Sequence, residues 1–130
     1  KTIYVVGRDA TSGTRDGFES ILGIKEKCAY EAELPETGDV KAKISSDEAA
    51  IGYISFASVS DGVKALQVGG VTVSTDTIAD NSYVIQRPFV HAYVKGTKDD
   101  LVLAYLDFLK TDKAQELIES EHLVPVEFWK

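Results

Sequence analysis

Apolar and polar positions change period several times along the chain, and each change predicts an element. Ile3-Tyr4-Val5-Val6 is β-branched and aromatic and too short for a helix, so it predicts a buried strand ending at Gly7. From Thr14 to Leu22, residues Phe18, Ile21 and Leu22 fall on one helical face; Thr11 and Ser12 suit the N-cap, and Gly23 is a stop. Ala29 to Leu34 alternates weakly as a strand does, Gly38-Asp39-Val40 to Ile44-Ser45 predicts a short helix, and Ala50 to Phe56 is a strong strand pattern. Lys64 to Val68 predicts another strand before Gly69-Gly70, and Ser74 or Thr75 caps a short helix through Ile78. Tyr83 to Val94 is a long β pattern interrupted by Pro88, as an edge strand or a crossing between sheets would be. Beyond Lys98, Leu101, Ala104, Tyr105, Phe108 and Leu109 recur at helical spacing, and Ala114, Leu117 and Ile118 continue it after a break at Thr111-Asp112. Strands alternating with helices imply an α/β fold with a largely parallel sheet flanked by helices.

The stretch with the most chemistry is Arg8-Asp9-Ala10-Thr11-Ser12-Gly13-Thr14-Arg15, between the first strand and the first helix. The opening turn of a helix carries amides without intrahelical acceptors, and the macrodipole adds roughly half a positive charge there, so an anion is favoured without any lysine. Gly13 permits close approach to the backbone, Ser12 and Thr14 offer hydroxyls, and Arg8 offers a planar fork to two oxygens. The competing reading is local: Thr11 or Ser12 only caps the helix, and Arg8 pairs with Asp9 at the surface. Two other motifs are excluded by counting. Gly7 and Gly13 enclose five residues and are followed by Thr14-Arg15, which is not a Walker loop, and Ser12 has Ala10 and Thr14 where a nucleophile elbow needs glycines.

Composition changes this picture little. A chain of 130 residues, 44% hydrophobic with mean hydropathy near zero, suits one globular domain, and a formal charge of −7 with no basic cluster argues against nucleic acid as a partner. Neutral donors at a helix end act locally, and net charge is screened beyond about 8 Å at physiological salt, so acidity does not oppose an oxyanion site. There is no run of about 20 apolar residues to span a membrane. No signal peptide precedes Lys1, and because Lys1 is not methionine the chain is expected to be cut or processed. Cys28 has no partner for an internal disulfide and is expected to be an idle thiol, and His91 and His122 lack companions at metal-ligand spacing, so no cofactor is expected. Ser55 and Ser58, just past a strand, fall where open α/β sheets place ligands, while Tyr53 and Phe56 are expected to pack.

Arg8 through Arg15 resembles the Arg-x-x-x-Ser-Gly-Thr-Arg signature of the phosphate-binding proteins of ABC transporters, the PstS family. Ala50-Ile51-Gly52-Tyr53-Ile54-Ser55 is similar to that family's Ala-Ile-Gly-Tyr segment, and Val63-Lys64-Ala65-Leu66-Gln67-Val68-Gly69-Gly70-Val71 to its Lys-Ala-Leu strand. Tyr83 to Pro88 resembles its Tyr-Pro-Leu-x-Arg-Pro return, and Phe108-Leu109 through Val124-Pro125-Val126 its closing helix and Val-Pro ending. The resemblance implies a Rossmann-like lobe of a type II periplasmic-binding-protein fold, residues 1–130 forming a single such domain: the second lobe plus a C-terminal return segment. It implies that Arg8, Ser12, Gly13 and Thr14 contact inorganic phosphate, with Thr11, Asp9 and Ser55 as further candidates, and that Arg87-Pro88 marks a crossing back toward the first lobe, a hinge element and not a contact. The family often has Asp-Gly where Ala10-Thr11 stands, so the aspartate that would orient the arginine is absent; Asp9 either takes that role or faces solvent.

The same resemblance implies an extracytoplasmic location, ABC-transporter permease subunits as partners, and a missing first lobe that in the family supplies further donors and the carboxylate accepting the ligand's proton. A role in phosphate import without turnover is the leading expectation. Binding of another oxyanion such as sulfate or molybdate stays open, as does an isolated or engineered lobe that folds without measurable ligand binding. A phosphatase would need an acid, base or metal near Arg8, where the chain offers only Asp9 and Asp16, so no enzyme is expected.

Overall fold

Three strands pair in parallel in the order β2-β1-β3, with β1 (Tyr4–Arg8) between β2 (Ala32–Leu34) and β3 (Ala50–Gly52). This is the arrangement of a computed structural model that describes residues 2–125. Val6 faces Ala32 on one side and Gly52 on the other. Between the strands run α1 (Gly13–Leu22) and α2 (Thr37–Ser46), so each parallel connection is a helical crossover. The fold class matches the expectation of an α/β lobe with a parallel sheet.

The chain divides into two compact units between Arg87 and Pro88. In the first unit, Val6 from β1 and Val40 from α2 are fully buried. Gly52 makes this possible: a Cβ there would stand 2.7 Å from the Val6 carbonyl oxygen and 3.2 Å from side-chain carbons of Val40 and Ile44. The glycine thus lets α2 lie directly on β1 and β3. After β3 come a single 3₁₀ turn (Phe56–Ser58) and α3 (Thr75–Ala79), which Ser74 opens with a reciprocal capping box to Thr77.

The second unit is built on α4 (Asp100–Phe108) and α5 (Asp112–Ser120), whose buried side chains are Leu106, Leu109 and Ala114. Asp99 caps α4 through Leu101 and Val102 amides at 3.0 and 3.2 Å, and Thr111 caps α5, placing the break at Thr111-Asp112.

Several expected strands do not form. Ala50 to Phe56 keeps only its first three residues in the sheet, and Lys64 to Val68 is reduced to one antiparallel bridge, Val68 to Val71. Gly69 and Gly70, at φ 60 and 83, reverse the chain at once, so there is no second strand length for Lys64 to Val68 to pair with. Tyr83 to Val94 forms no strand, and Phe89, Val90 and Val94 are 74%, 87% and 79% exposed. Its residues have strand propensity, but propensity needs a paired edge, and no described strand lies beside it. On α1, Ile21 and Leu22, expected on the buried face, are exposed. Val126 of the Val-Pro ending lies outside the described residues.

Gly52→Ala is expected to lower stability by about 1–3 kcal/mol, since its Cβ would overlap backbone that cannot give way. Thermal denaturation followed by circular dichroism measures it; an unchanged midpoint would disprove the close packing of α2 on the sheet.

Candidate functional site

In a parallel sheet all strands end on one edge, so Arg8, Leu34 and Gly52 close their strands on the same side, where α1 and α2 begin. That edge is where open α/β sheets place ligands. The loop from Asp9 to Ser12 is fixed at both ends: the Asp9 amide donates to the Leu34 carbonyl at 3.0 Å, and the Ser12 amide to the Asp9 carbonyl at 3.2 Å.

Ser12 is buried and is the N-cap of α1, its hydroxyl oxygen accepting from the Arg15 amide at 3.3 Å. Its own proton is left free to donate. The amides of Gly13 and Thr14 have no protein acceptor among the described residues, as the first turn of a helix dictates. Gly13, Thr14 and Ser12 therefore converge on one helix end.

Arg8 is placed otherwise than the surface pair with Asp9. Its Nη1 donates to Thr37 Oγ1 at 2.8 Å and its Nη2 to the Pro35 carbonyl at 2.6 Å, both at the start of α2. The Nε is buried with no partner among the described residues. Asp9 turns instead to its own loop, accepting from the Thr11 amide at 3.0 Å and the Thr11 hydroxyl at 2.8 Å. The Thr11 hydroxyl, ahead of smaller contributions from the Thr11 amide and Arg8, holds the Asp9 carboxyl below its ordinary range. Thr11 is thereby spent on Asp9. Ser55 and Ser58 share a hydrogen bond at 2.9 Å between their hydroxyls.

Two features escape the sequence pattern. The Tyr53 ring stacks on Phe18 at 4.2 Å, as packing required, and its hydroxyl also accepts from the Arg8 amide at 3.0 Å. Arg15 is the hub of a network: its Nε donates to Glu19 Oε1 at 2.8 Å, and its Nη1 to the Arg8 carbonyl and to Glu33, each at 3.0 Å. The guanidinium lies 4.9 Å over the Tyr30 ring, whose hydroxyl donates to Glu19 at 2.9 Å. Arg15 and Glu19 stand four apart on α1, a spacing that could have signalled the pair. Burial pushes the Glu19 carboxyl up, but the Tyr30 hydroxyl and Arg15 outweigh it, and its pKa falls below the ordinary 4.5. Burial also pushes the Tyr30 phenol up, with Cys28, Tyr53 and Glu19 adding to it.

His91 sits beside the Tyr105 ring and His122 follows α5; among the described residues no group of three or more His, Cys, Asp and Glu could hold a metal. Cys28 is half-buried, its thiol 3.7 Å from the Ile24 carbonyl. No helix among the described residues is long and apolar enough to cross a membrane.

Glu19→Ala would leave donors of Arg15 and Tyr30 unpaired and is expected to cost roughly 1–3 kcal/mol in chemical denaturation. Because Glu19 has a lowered folded pKa, its contribution is complete above about 4.5 and is lost as pH falls through the folded value. The difference between wild type and Glu19→Ala is therefore expected to shrink on acidification; a constant difference would rule out an ionised Glu19.

No protein-family model matches the chain. It is 28% identical over 97% of its length to phosphate-binding protein PstS 2 of Streptococcus agalactiae serotype V, covering 46% of that protein, and 32% identical over 95% to PstS 2 of Streptococcus pneumoniae, covering 45%. Among solved structures, a Clostridium perfringens substrate-binding protein assigned to phosphate ABC transport, with bound phosphate, superposes with a TM-score of 0.84 at 35% identity, over 96% of this chain and 52% of that one. The chain spans about half the length of the relatives it matches. Over nearly all of its own length the chain is similar to about half of the PstS phosphate-binding proteins.

Proposed function

We propose that this chain supplies one wall of an inorganic phosphate site in a solute-binding protein of an ABC transporter, with Arg8, Ser12, Gly13 and Thr14 as its ligand contacts. The observation that carries the reading is the buried, unpartnered Nε of Arg8 on the sheet edge where the Gly13 and Thr14 amides are also without acceptors. A buried donor left unsatisfied costs about 1–3 kcal/mol, and an oxyanion oxygen would remove that cost. Homology to proteins named for phosphate binding supports the choice of oxyanion.

Each contact has a distinct part. The two amides present fixed dipoles that need no reorganisation, the Thr14 and Ser12 hydroxyls donate to further oxygens, and Arg8 brings the formal charge. Thr37 and Pro35 hold the Arg8 fork in place, the task the family gives to an aspartate at the position of Ala10. Asp9, Thr11 and Ser55 shape the rim rather than grip the ligand: the first two bond each other, and Ser55 bonds Ser58. Nothing in this set activates a nucleophile, so the site binds and releases without turnover.

The opposite wall belongs to the part of the relatives' length that this chain does not span. Permease subunits and an extracytoplasmic location follow from the same reading. Among the described residues sixteen large apolar ones are exposed, Leu101 to 82%, and a second lobe would cover part of that surface.

Isothermal titration with phosphate, with sulfate as competitor, tests this. Arg8→Ala is expected to remove most of the phosphate affinity, and Ser12→Ala or Thr14→Ala to weaken it by about 1.5–3 kcal/mol each. Unchanged affinity in all three variants would refute the assignment, and stronger sulfate binding would change the ligand.

A further inference from the structure

Arg87 stands out among the side chains that the proposed site does not use. Arg87 is exposed, and its guanidinium makes no hydrogen bond or ion pair among the described residues. It lies against α1. A Cβ on Gly17 would stand 2.6 Å from Arg87 Cδ and 3.2 Å from its Nε, and a Cβ on Gly13 would stand 3.1 Å from its Nη2. Gly13 and Gly17 are four residues apart and so share a face of the helix, which without side chains becomes a furrow. The arginine stem runs along this furrow and delivers the guanidinium to the first residue of α1. Thr14 and Arg87 also line the same small cavity, of about 120 Å³, with Gly17, Phe18, Tyr53 and Ile85.

A cation at a helix N-terminus sits at the wrong end of the macrodipole. The one carboxylate of α1 that feels it is Asp16, which is already paired with Lys25 at 2.6 Å and is held below its ordinary range mainly by that lysine. An anion at the Gly13 and Thr14 amides would relieve the repulsion and engage the idle donors together. Resting on the reading of that helix end as a phosphate site, we infer that Arg87 is a second cationic contact of the same oxyanion site, steered there by the glycine furrow, and not a hinge element alone.

The test follows the Gly13 and Thr14 amide resonances of the chain during titration with inorganic phosphate up to tens of millimolar, at several salt concentrations. Arg87→Gln is expected to weaken binding about tenfold, the weight of one charge-assisted hydrogen bond, and to flatten its salt dependence, with Arg87→Lys between. Gly17→Ala keeps every charge but fills the furrow. It is expected to weaken phosphate binding while leaving the melting temperature unchanged or higher, because alanine favours the helix and only a flexible side chain must move. Adding Gly17→Ala to Arg87→Gln should then weaken binding no further. A role in folding alone would lower melting and affinity together. If Ser12→Ala weakens binding while Arg87→Gln and Gly17→Ala do not, the inference falls and the phosphate site stands. If phosphate moves neither amide in the wild-type chain, both fall.

Discussion

The grip of Arg15 on the end of β1 is the constraint on which the rest of the first unit depends. From the third position of α1 its guanidinium reaches back to the Arg8 carbonyl, pairs with Glu19 one turn on and Glu33 on β2, and covers the Tyr30 ring. One side chain thus locks a helix to two strands, and does so at the helix end whose amides must stay open. A purely apolar attachment would fix the distance of α1 from the sheet but leave it free to slide along its axis. Directional bonds at both carboxylates and a backbone carbonyl fix the axial position too, to the tolerance an oxyanion site needs. The expense is burial of Glu19, offset by donors from two sides.

Legibility in the sequence follows the range of the interaction that decides each feature. Ser12 as N-cap, Gly23 as stop in the left-handed conformation, Ser74 and Thr111 as caps and the apolar rhythm of α4 are local, and all are readable from a few neighbouring residues. Strand pairing is not local. The segment at 83–94 is as rich in β-branched and aromatic residues as β1, yet among the described residues only β1 finds partners on both edges. The site divides along the same line: Ser12, Gly13 and Thr14 are set by one helix end, whereas the bonds of Arg8 to Thr37 and Pro35 bridge nearly thirty residues of chain. That bridge explains how Arg8 is oriented although Ala10 supplies no carboxylate, and why Asp9, the obvious substitute in sequence, is engaged elsewhere.

Charge illustrates the difference between a protein's average and its surface in detail. The chain carries seven net negative charges, yet its candidate anion site holds only fixed dipoles, hydroxyls and guanidinium groups. The carboxylates nearest to it along the chain are each spoken for: Asp9 by Thr11, Asp16 by Lys25 and Glu19 by Arg15 and Tyr30. A carboxylate pinned by its own donors presents less free potential to a ligand, and its pKa is held down, so it does not compete for protons in the neutral range. Repulsion from the remaining acidic groups is screened over a Debye length.

The balance of buried and exposed apolar surface bears on how much of a binding site such a chain can make alone. In the first unit two side chains, Val6 and Val40, are fully enclosed, while Ile21, Leu22, Ile51 and Leu66 remain at the surface. The second unit has Leu106, Leu109 and Ala114 inside and Phe89, Val90, Tyr93, Val94 and Leu101 outside. Hydrogen bonds to a bound oxyanion gain strength only where water is excluded, and exclusion needs a surface on each side of the ligand. A sheet edge with two helix ends supplies donors and orientation but one surface. Affinity and selectivity would then scale with closure by whatever apolar face meets it. The donors set which chemistry is recognised, and the enclosing surface sets how tightly.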